Sequence, residues 1–157
     1  MAIEIVDNMM FVCALAYYVI ITIVFILRAN EKSQLELKLA PVFSILLIPF
    51  TGLWLINLVL QSDSARIITG LPVIVFLVYD FWYRLYTRKK PLHHPEKWPR
   101  ELQAYVLLFM LGSIVLNGYV YIVSRLLGDI VLGFYFLHLF AFAYYQREHR
   151  KRQSTND

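Results

Sequence analysis

The sequence predicts an all-α fold: a polytopic integral membrane protein in which five transmembrane helices form one bundle, with the N-terminus outside and the C-terminus in the cytoplasm. Of its 157 residues, 59% are hydrophobic and 16% aromatic, which is more apolar surface than one soluble core of this size can bury. Apolar runs recur along the chain, and the basic residues fall in the short segments between them. We therefore expect a single transmembrane domain over residues 1–157.

The first predicted span covers residues 9–27, close to the roughly 20 residues that a helix needs to cross about 30 Å of hydrocarbon. Arg28 follows it. The residues before it carry Glu4 and Asp7 but no lysine or arginine, whereas a secretory signal peptide begins with a basic region. We therefore expect this span to remain in the mature protein.

The second and third spans are predicted over residues 39–60 and 67–86. Near the middle of the second span, Pro49 lacks a backbone N–H and Gly52 lacks a side chain, so we expect a bend there. The polar segment between the two spans is short, which predicts that they are antiparallel neighbours. Pro72 falls in the first turns of the third span, where proline is tolerated.

The last two spans are predicted over residues 104–123 and 130–145. Together they form an apolar run of about forty residues, roughly twice what one crossing can use, and the sequence SRLLGD divides it. The tail over residues 146–157 is polar, and we expect it to fray.

The distribution of basic residues predicts the orientation of the spans. With five crossings, every lysine and arginine except Arg66 and Arg125 falls on the side of the C-terminus. Because cytoplasmic segments carry an excess of lysine and arginine, we expect the C-terminus in the cytoplasm and the N-terminus outside. We expect the plasma membrane as the location.

Three polar residues near the inner half of the bundle are candidates for a buried site. Asp80 lies about 20 Å into the third span at 1.5 Å per residue, and Arg84 follows one turn later on the same face. Either Arg84 pairs with Asp80 and anchors the helix end, or Asp80 turns inward as a proton acceptor or cation ligand. His138, near the middle of the fifth span, is either a hydrogen-bonded packing residue or a ligand or relay.

A polar stripe follows the fourth span, where Ser113, Asn117 and Tyr121 recur at a spacing of four residues. On the second span, Asn57 and Gln61 are also one turn apart. These residues either form hydrogen bonds between neighbouring helices or line a polar vestibule that opens outward. The charged residues around the mouth of that vestibule would be Asp63, Arg66, Arg125 and Asp129.

The segment between the third and fourth spans is the most basic part of the chain. We expect it to bind the headgroups of anionic lipids at about 1 kcal/mol per basic residue. His93 and His94 are weak candidates for metal ligands, because adjacent side chains usually diverge and their spacing matches no standard ligand pattern. We predict no metal site. The headgroup-binding candidates are Arg88, Lys89, Lys90, Lys97, Trp98 and Arg100.

No motif in the sequence specifies a reaction. It has no nucleophile elbow, no glycine-rich phosphate loop after a strand and no paired acidic motif for phosphate-bound metals. A single histidine within a span, His138, cannot supply both axial ligands of a typical cytochrome b haem, and we predict no cofactor. An enzyme stays open as an alternative, although the sequence favours a non-enzymatic role.

The function that the sequence favours is that of a small non-enzymatic integral membrane protein, an accessory or assembly subunit that binds partner helices or lipids. The expected partners are membrane lipids, other membrane subunits or further copies of the chain. The placement of the basic residues between apolar spans argues against nucleic acid. One alternative is an oligomeric transporter or channel with a polar pathway past Asn57, Asn117, His138 and Asp80. A second alternative is an intramembrane lipid-modifying enzyme at the cytoplasmic interface. Its candidate residues are Asp80, Arg84, His93 and His94.

Overall fold

The computed structural model describes residues 2–30, 45–60, 63–86 and 100–156, and these residues form five α-helices. The prediction of an all-α fold is confirmed. Four of the helices contain a segment that is long and apolar enough to cross a membrane. The helices are α1 (Ala2–Ala29), α2 (Leu47–Val59), α3 (Ser64–Tyr86), α4 (Arg100–Val123) and α5 (Arg125–Asn156).

Helix α2 is shorter than the second expected span. It has 13 residues, about 20 Å of helix, which is less than the roughly 30 Å of a hydrocarbon core. The first residues of the predicted span, 39–44, lie outside the described residues. The bend expected near the middle of the span stays a prediction, and Pro49 falls in the first turn of α2. A proline is tolerated there because the first N–H groups of a helix have no partner within the helix.

The last helix is longer than expected at both ends. Only Ser124 separates α4 from α5, so α5 begins five residues earlier than the predicted span, at Arg125. At the other end α5 continues to Asn156, beyond the predicted end of the span at residue 145. The tail contains no proline or glycine, and an ion pair of 2.7 Å between Lys151 and Glu148 joins adjacent turns.

Contacts between side chains give the directions of the helices. Tyr18 of α1 packs on Tyr135 of α5, and farther along both helices Phe25 packs on Phe142, so α1 and α5 run parallel. The same reasoning shows that α3 runs with α1 and that α2 and α4 run the opposite way. The contacts used are Asp7–Arg66 and Tyr17–Phe76 for α3, Tyr17–Phe50 for α2, Tyr17–Ser113 for α4, and the chain of hydrogen bonds Asn57–Tyr119–Asp7 for both α2 and α4.

The bundle therefore has two distinct ends. At the Asp7 end, α1, α3 and α5 begin and α2 and α4 terminate. At the Asp80 end the directions are reversed. Among the described residues, the basic residues at the Asp7 end are Arg66 and Arg125, and those at the Asp80 end are Arg28, Arg84, Arg100, Arg147, Arg150, Lys151 and Arg152.

The core is built along one face of α1. Met10, Ala14, Tyr17, Ile21 and Phe25 are spaced three or four residues apart and are all buried, as expected for one face of a helix. Helix α1 packs against α5, α2 and α4, whereas no Cα atom of α1 lies within 8 Å of a Cα atom of α3 in the described ranges. Only side chains bridge α1 and α3.

Candidate functional site

Four helices contribute to one polar cluster at the Asp7 end. Arg66 of α3 donates from Nη2 to Oδ2 of Asp7 over 3.2 Å. Tyr119 of α4 donates to the other oxygen of Asp7, Oδ1, over 3.1 Å, and Asn57 of α2 donates from Nδ2 to the Tyr119 hydroxyl over 3.0 Å. We call these four residues the Asp7 cluster.

The geometry of the Asp7 cluster compensates the cost of burying a carboxylate. Asp7 is only 6% exposed, and each of its oxygens accepts a hydrogen bond. A buried carboxylate without a cation would be strongly destabilising, so Arg66 is needed for this arrangement. Among the described residues, the buried Arg66 Nε has no hydrogen-bond partner.

A second group of hydrogen bonds lies deeper in the bundle, between α1 and α4. The Ser113 hydroxyl donates to the Phe109 carbonyl over 2.8 Å, so its oxygen is left to accept from the Tyr17 hydroxyl at 3.1 Å. Tyr18 donates to the Ser113 carbonyl over 2.6 Å. We call Tyr17, Tyr18 and Ser113 the Ser113 cluster. All three side chains are buried, so these bonds form in a dry environment.

His138 lies buried among aromatic rings in the middle of the bundle. Its ring stacks on Phe25 at a centroid distance of 5.7 Å and meets the edge of Phe109 at 5.4 Å. Tyr18 and Tyr135 are the other neighbours, at 6.1 and 5.7 Å. Rings therefore surround this histidine on several sides, and its Nδ1 is buried without a hydrogen-bond partner among the described residues.

Asp80 is fully buried near the opposite end of the bundle from Asp7. The Tyr105 hydroxyl of α4 donates to Asp80 Oδ1 over 2.9 Å. The rings of Tyr83 and Tyr105 lie 5.7 Å apart beside it. The structure does not join Asp80 to His138 by a hydrogen bond. The side chain of Arg84 lies outside the described residues, so its pairing with Asp80 stays a prediction.

The stripe predicted on α4 does not form one continuous site. Ser113 belongs to the Ser113 cluster, whereas Tyr121 donates to Asp129 of α5 over 2.5 Å near the surface. Asn117 is buried between them, and its Oδ1 has no hydrogen-bond partner among the described residues. Asn57, predicted on α2, is part of the Asp7 cluster.

The remaining predicted residues are mostly outside the described part of the chain. Arg100 is the exception, since it is exposed at the first residue of α4. In the ranges that the structure describes, no group of three His, Cys, Asp or Glu side chains could hold a metal ion. The residues not described are Gln61, Arg88, Lys89, Lys90, His93, His94, Lys97 and Trp98.

Several residues that anchor these clusters are not among the residues predicted from the sequence. They are Asp7, Tyr17, Tyr18, Tyr105 and Tyr119. A signal for Asp7 does exist. It lies three residues before Met10 and seven before Ala14, so it falls on the buried face of α1, where a carboxylate requires a partner.

The Asp7 cluster, the Ser113 cluster and the Asp80–Tyr105 hydrogen bond lie at different depths in the bundle. Each of them joins a different set of helices. Comparison with known proteins gives no matching protein family, no matching curated protein and no matching solved structure.

Proposed function

We propose that this chain is a non-enzymatic integral membrane protein, an accessory or assembly subunit that binds partner helices or lipids through the outer faces of its helices. The proposal rests on one observation: polar side chains inside the bundle bond to neighbouring helices. Asp7, Asn57, Ser113 and Asp80 all take part in hydrogen bonds between helices. Such bonds stabilise a fixed helix arrangement.

The outer faces of the helices support the same proposal. They carry large apolar side chains that only lipid or another apolar helix can cover in a membrane. Aromatic residues are part of this surface, and they offer a large area for packing. Exposed examples from the five helices are Val12, Ile26, Ile48, Val59, Val78, Phe81, Leu107, Ile114, Phe136 and Phe140.

In the proposed orientation, the Asp80 end of the bundle lies on the cytoplasmic side of the plasma membrane. The basic residues gather at that end, where α1 and α3 terminate and α4 begins. The described residues at the Asp7 end include four carboxylates, Glu4, Asp7, Asp63 and Asp129, against the two arginines Arg66 and Arg125, so that end has more acidic than basic side chains. This asymmetry supports the positive-inside assignment.

The transporter or channel remains a second candidate because two buried carboxylates, Asp7 and Asp80, lie toward opposite ends of the bundle with the Ser113 cluster between them. The fully buried rings of Tyr17, Tyr18 and Phe76 fill the space near that cluster, so transport would need these rings to move. For the lipid-modifying enzyme, Asp80 is the one candidate whose side chain is described, and it is buried against Tyr105.

Gentle extraction tests the leading proposal. A tagged chain would be taken from its native membrane in lipid-containing particles and its co-purifying proteins quantified, with an unrelated tagged membrane protein as control. We expect a partner at constant stoichiometry. A monodisperse chain without a partner, together with an ion or solute flux in reconstituted vesicles that Asp80→Asn or His138→Ala abolishes without loss of folded protein, would favour the transporter instead.

A further inference from the structure

Helix α5 has an exposed face that runs from Gly133 past the end of the predicted apolar span at residue 145. Its residues are spaced alternately four and three apart, the pattern of a single helix face. Phe140 is 70% exposed and Tyr144 44% exposed. A Cβ added at Gly133 would meet no atom within 4 Å, so the surface beside it is open. We call this face the α5 stripe: Gly133, Leu137, Phe140, Tyr144, Arg147 and Lys151.

Along the α5 stripe, the side chains change from apolar to aromatic to cationic, in the same order as the hydrocarbon core, the interface and the headgroups of a membrane. Leu137 and Phe140 are apolar, Tyr144 has an apolar ring with a polar tip, and Arg147 and Lys151 are cationic. At 1.5 Å per residue, Arg147 lies about 5 Å and Lys151 about 10 Å beyond Tyr144. The headgroup layer on each side of a bilayer is about 5–7 Å thick. With Tyr144 at the interface, Arg147 therefore reaches the phosphate level.

The charge around Arg147 is positive. Arg147 is exposed, has no ion pair in the described ranges, and has Lys151 one turn ahead of it. Lys151 pairs with Glu148, but Arg150 and Arg152 are further basic residues of the same helical segment. The contrasting case is Arg125 at the other end of α5, which has Asp129 one turn ahead. Of the two helix ends, the Arg147 end attracts an anion.

We propose that the α5 stripe binds one anionic phospholipid, with its phosphate on Arg147 and Lys151 and an acyl chain along Phe140, Leu137 and Gly133. The order of the side chains matches a phospholipid along its length. A second copy of α5 in the same membrane orientation would instead bring Arg147 against the like charge of the other copy. The inference rests on the proposed function only in that the chain is a membrane protein.

Native mass spectrometry of the purified chain, loaded with equal amounts of phosphatidylglycerol and phosphatidylcholine, tests the proposal. We expect preferential retention of phosphatidylglycerol. At about 1 kcal/mol per basic residue, Arg147→Gln should weaken its retention about fivefold, and Arg147→Gln with Lys151→Gln about 30-fold. Arg125→Gln is the matched control, an exposed arginine at the other end of the same helix, and should leave retention unchanged. Equal losses in the two single variants would overturn the proposal.

A second set of measurements distinguishes binding of a whole phospholipid from binding of phosphate alone and from binding of a protein partner. Phe140→Ala should weaken the retention of phosphatidylglycerol, whereas Phe81→Ala, an exposed phenylalanine on α3 near the same end, should not. Inorganic phosphate at millimolar concentration should fail to displace the lipid. Displacement by phosphate, or a dimer that forms when lipid is removed and is lost in Phe140→Ala, would contradict a phospholipid occupant. Because these measurements use the isolated chain, they do not depend on the recovery of a partner subunit.

Discussion

Arg66 of α3 donates a hydrogen bond to Asp7 of α1 over 3.2 Å, although no Cα atoms of these two helices lie within 8 Å of each other in the described ranges. The arginine side chain crosses the space between the helices and ends on a buried carboxylate. Tyr119 and Asn57 complete the link from α4 and α2. One acidic residue thus connects four helices at the Asp7 end.

The first prediction concerns the loss of this cation. Arg66→Gln leaves the carboxylate of Asp7 buried without a positive partner, which should lower the free energy of unfolding by about 3 kcal/mol. Reversible unfolding in mixed micelles, followed by circular dichroism, measures it. Asp7→Asn combined with Arg66→Gln should recover part of the loss, because the uncompensated charge is gone.

Arg125→Gln is the control for this prediction. Arg125 is the other basic residue at the Asp7 end in the described part of the chain, and it is exposed. Its replacement should change the free energy of unfolding by less than about 0.5 kcal/mol. If Arg66→Gln were no more destabilising than Arg125→Gln, the Asp7–Arg66 pair would not contribute to the free energy of unfolding.

The second prediction is a double-mutant cycle on Tyr17 and Ser113. The Tyr17 hydroxyl donates to the Ser113 hydroxyl at 3.1 Å in a buried environment. Hydrogen bonds between membrane helices contribute about 0.6 kcal/mol on average and up to about 1.7 kcal/mol. Tyr17→Phe and Ser113→Ala should therefore show a favourable coupling energy in this range. Pairing Ser113→Ala with Tyr144→Phe, which alters an exposed tyrosine of α5, should give a coupling energy near zero.

Much of the helical architecture could be predicted because it depends on local patterns. Apolar runs of the right length identify α1, α3, α4 and α5, and the positions of Asp80 and His138 within them follow from the rise per residue. The ends were harder to predict. A polar tail looks like a chain that leaves its helix, yet α5 continues to Asn156. Residues 146–153 are mostly Gln, Glu, Lys and Arg, which favour helix, and the tail contains no proline or glycine.

The polar contacts could not be predicted, because they join residues far apart in the sequence. Asp7 and Arg66 belong to helices that do not pack directly, and Asp7 meets Tyr119 from yet another helix. Spacing along one helix indicates which residues share a face, but not which neighbour that face meets. For this reason the stripe of Ser113, Asn117 and Tyr121 fitted either hydrogen bonds between neighbouring helices or a polar vestibule, and its spacing did not indicate that Ser113 bonds to α1 and Tyr121 to α5.

The third prediction concerns the hydroxyl that binds Asp80. Tyr105→Phe removes a hydrogen-bond donor from a buried carboxylate and should lower the free energy of unfolding by about 1.5–3 kcal/mol, the range for hydrogen bonds to charged groups. Thermal unfolding in nanodiscs measures the effect. Tyr135→Phe is the control, since that hydroxyl forms no hydrogen bond in the described ranges, and it should be close to neutral. Equal effects of the two variants would show that the Tyr105 hydroxyl contributes nothing to stability.

The last prediction concerns a close contact at the turn between α4 and α5. A Cβ added at Gly128 would lie 2.6 Å from the Tyr121 ring, whose hydroxyl is bonded to Asp129. Gly128→Ala should therefore push the ring away and lower the free energy of unfolding by about 1–3 kcal/mol, the usual cost of overpacking. Gly133→Ala is the matched control on the same helix. It meets open space, so it should be neutral or stabilising by up to about 1 kcal/mol, the gain in helix propensity. Adding Tyr121→Ala to Gly128→Ala should remove the clash. If the double variant is no more stable than Gly128→Ala, the ring is not the cause.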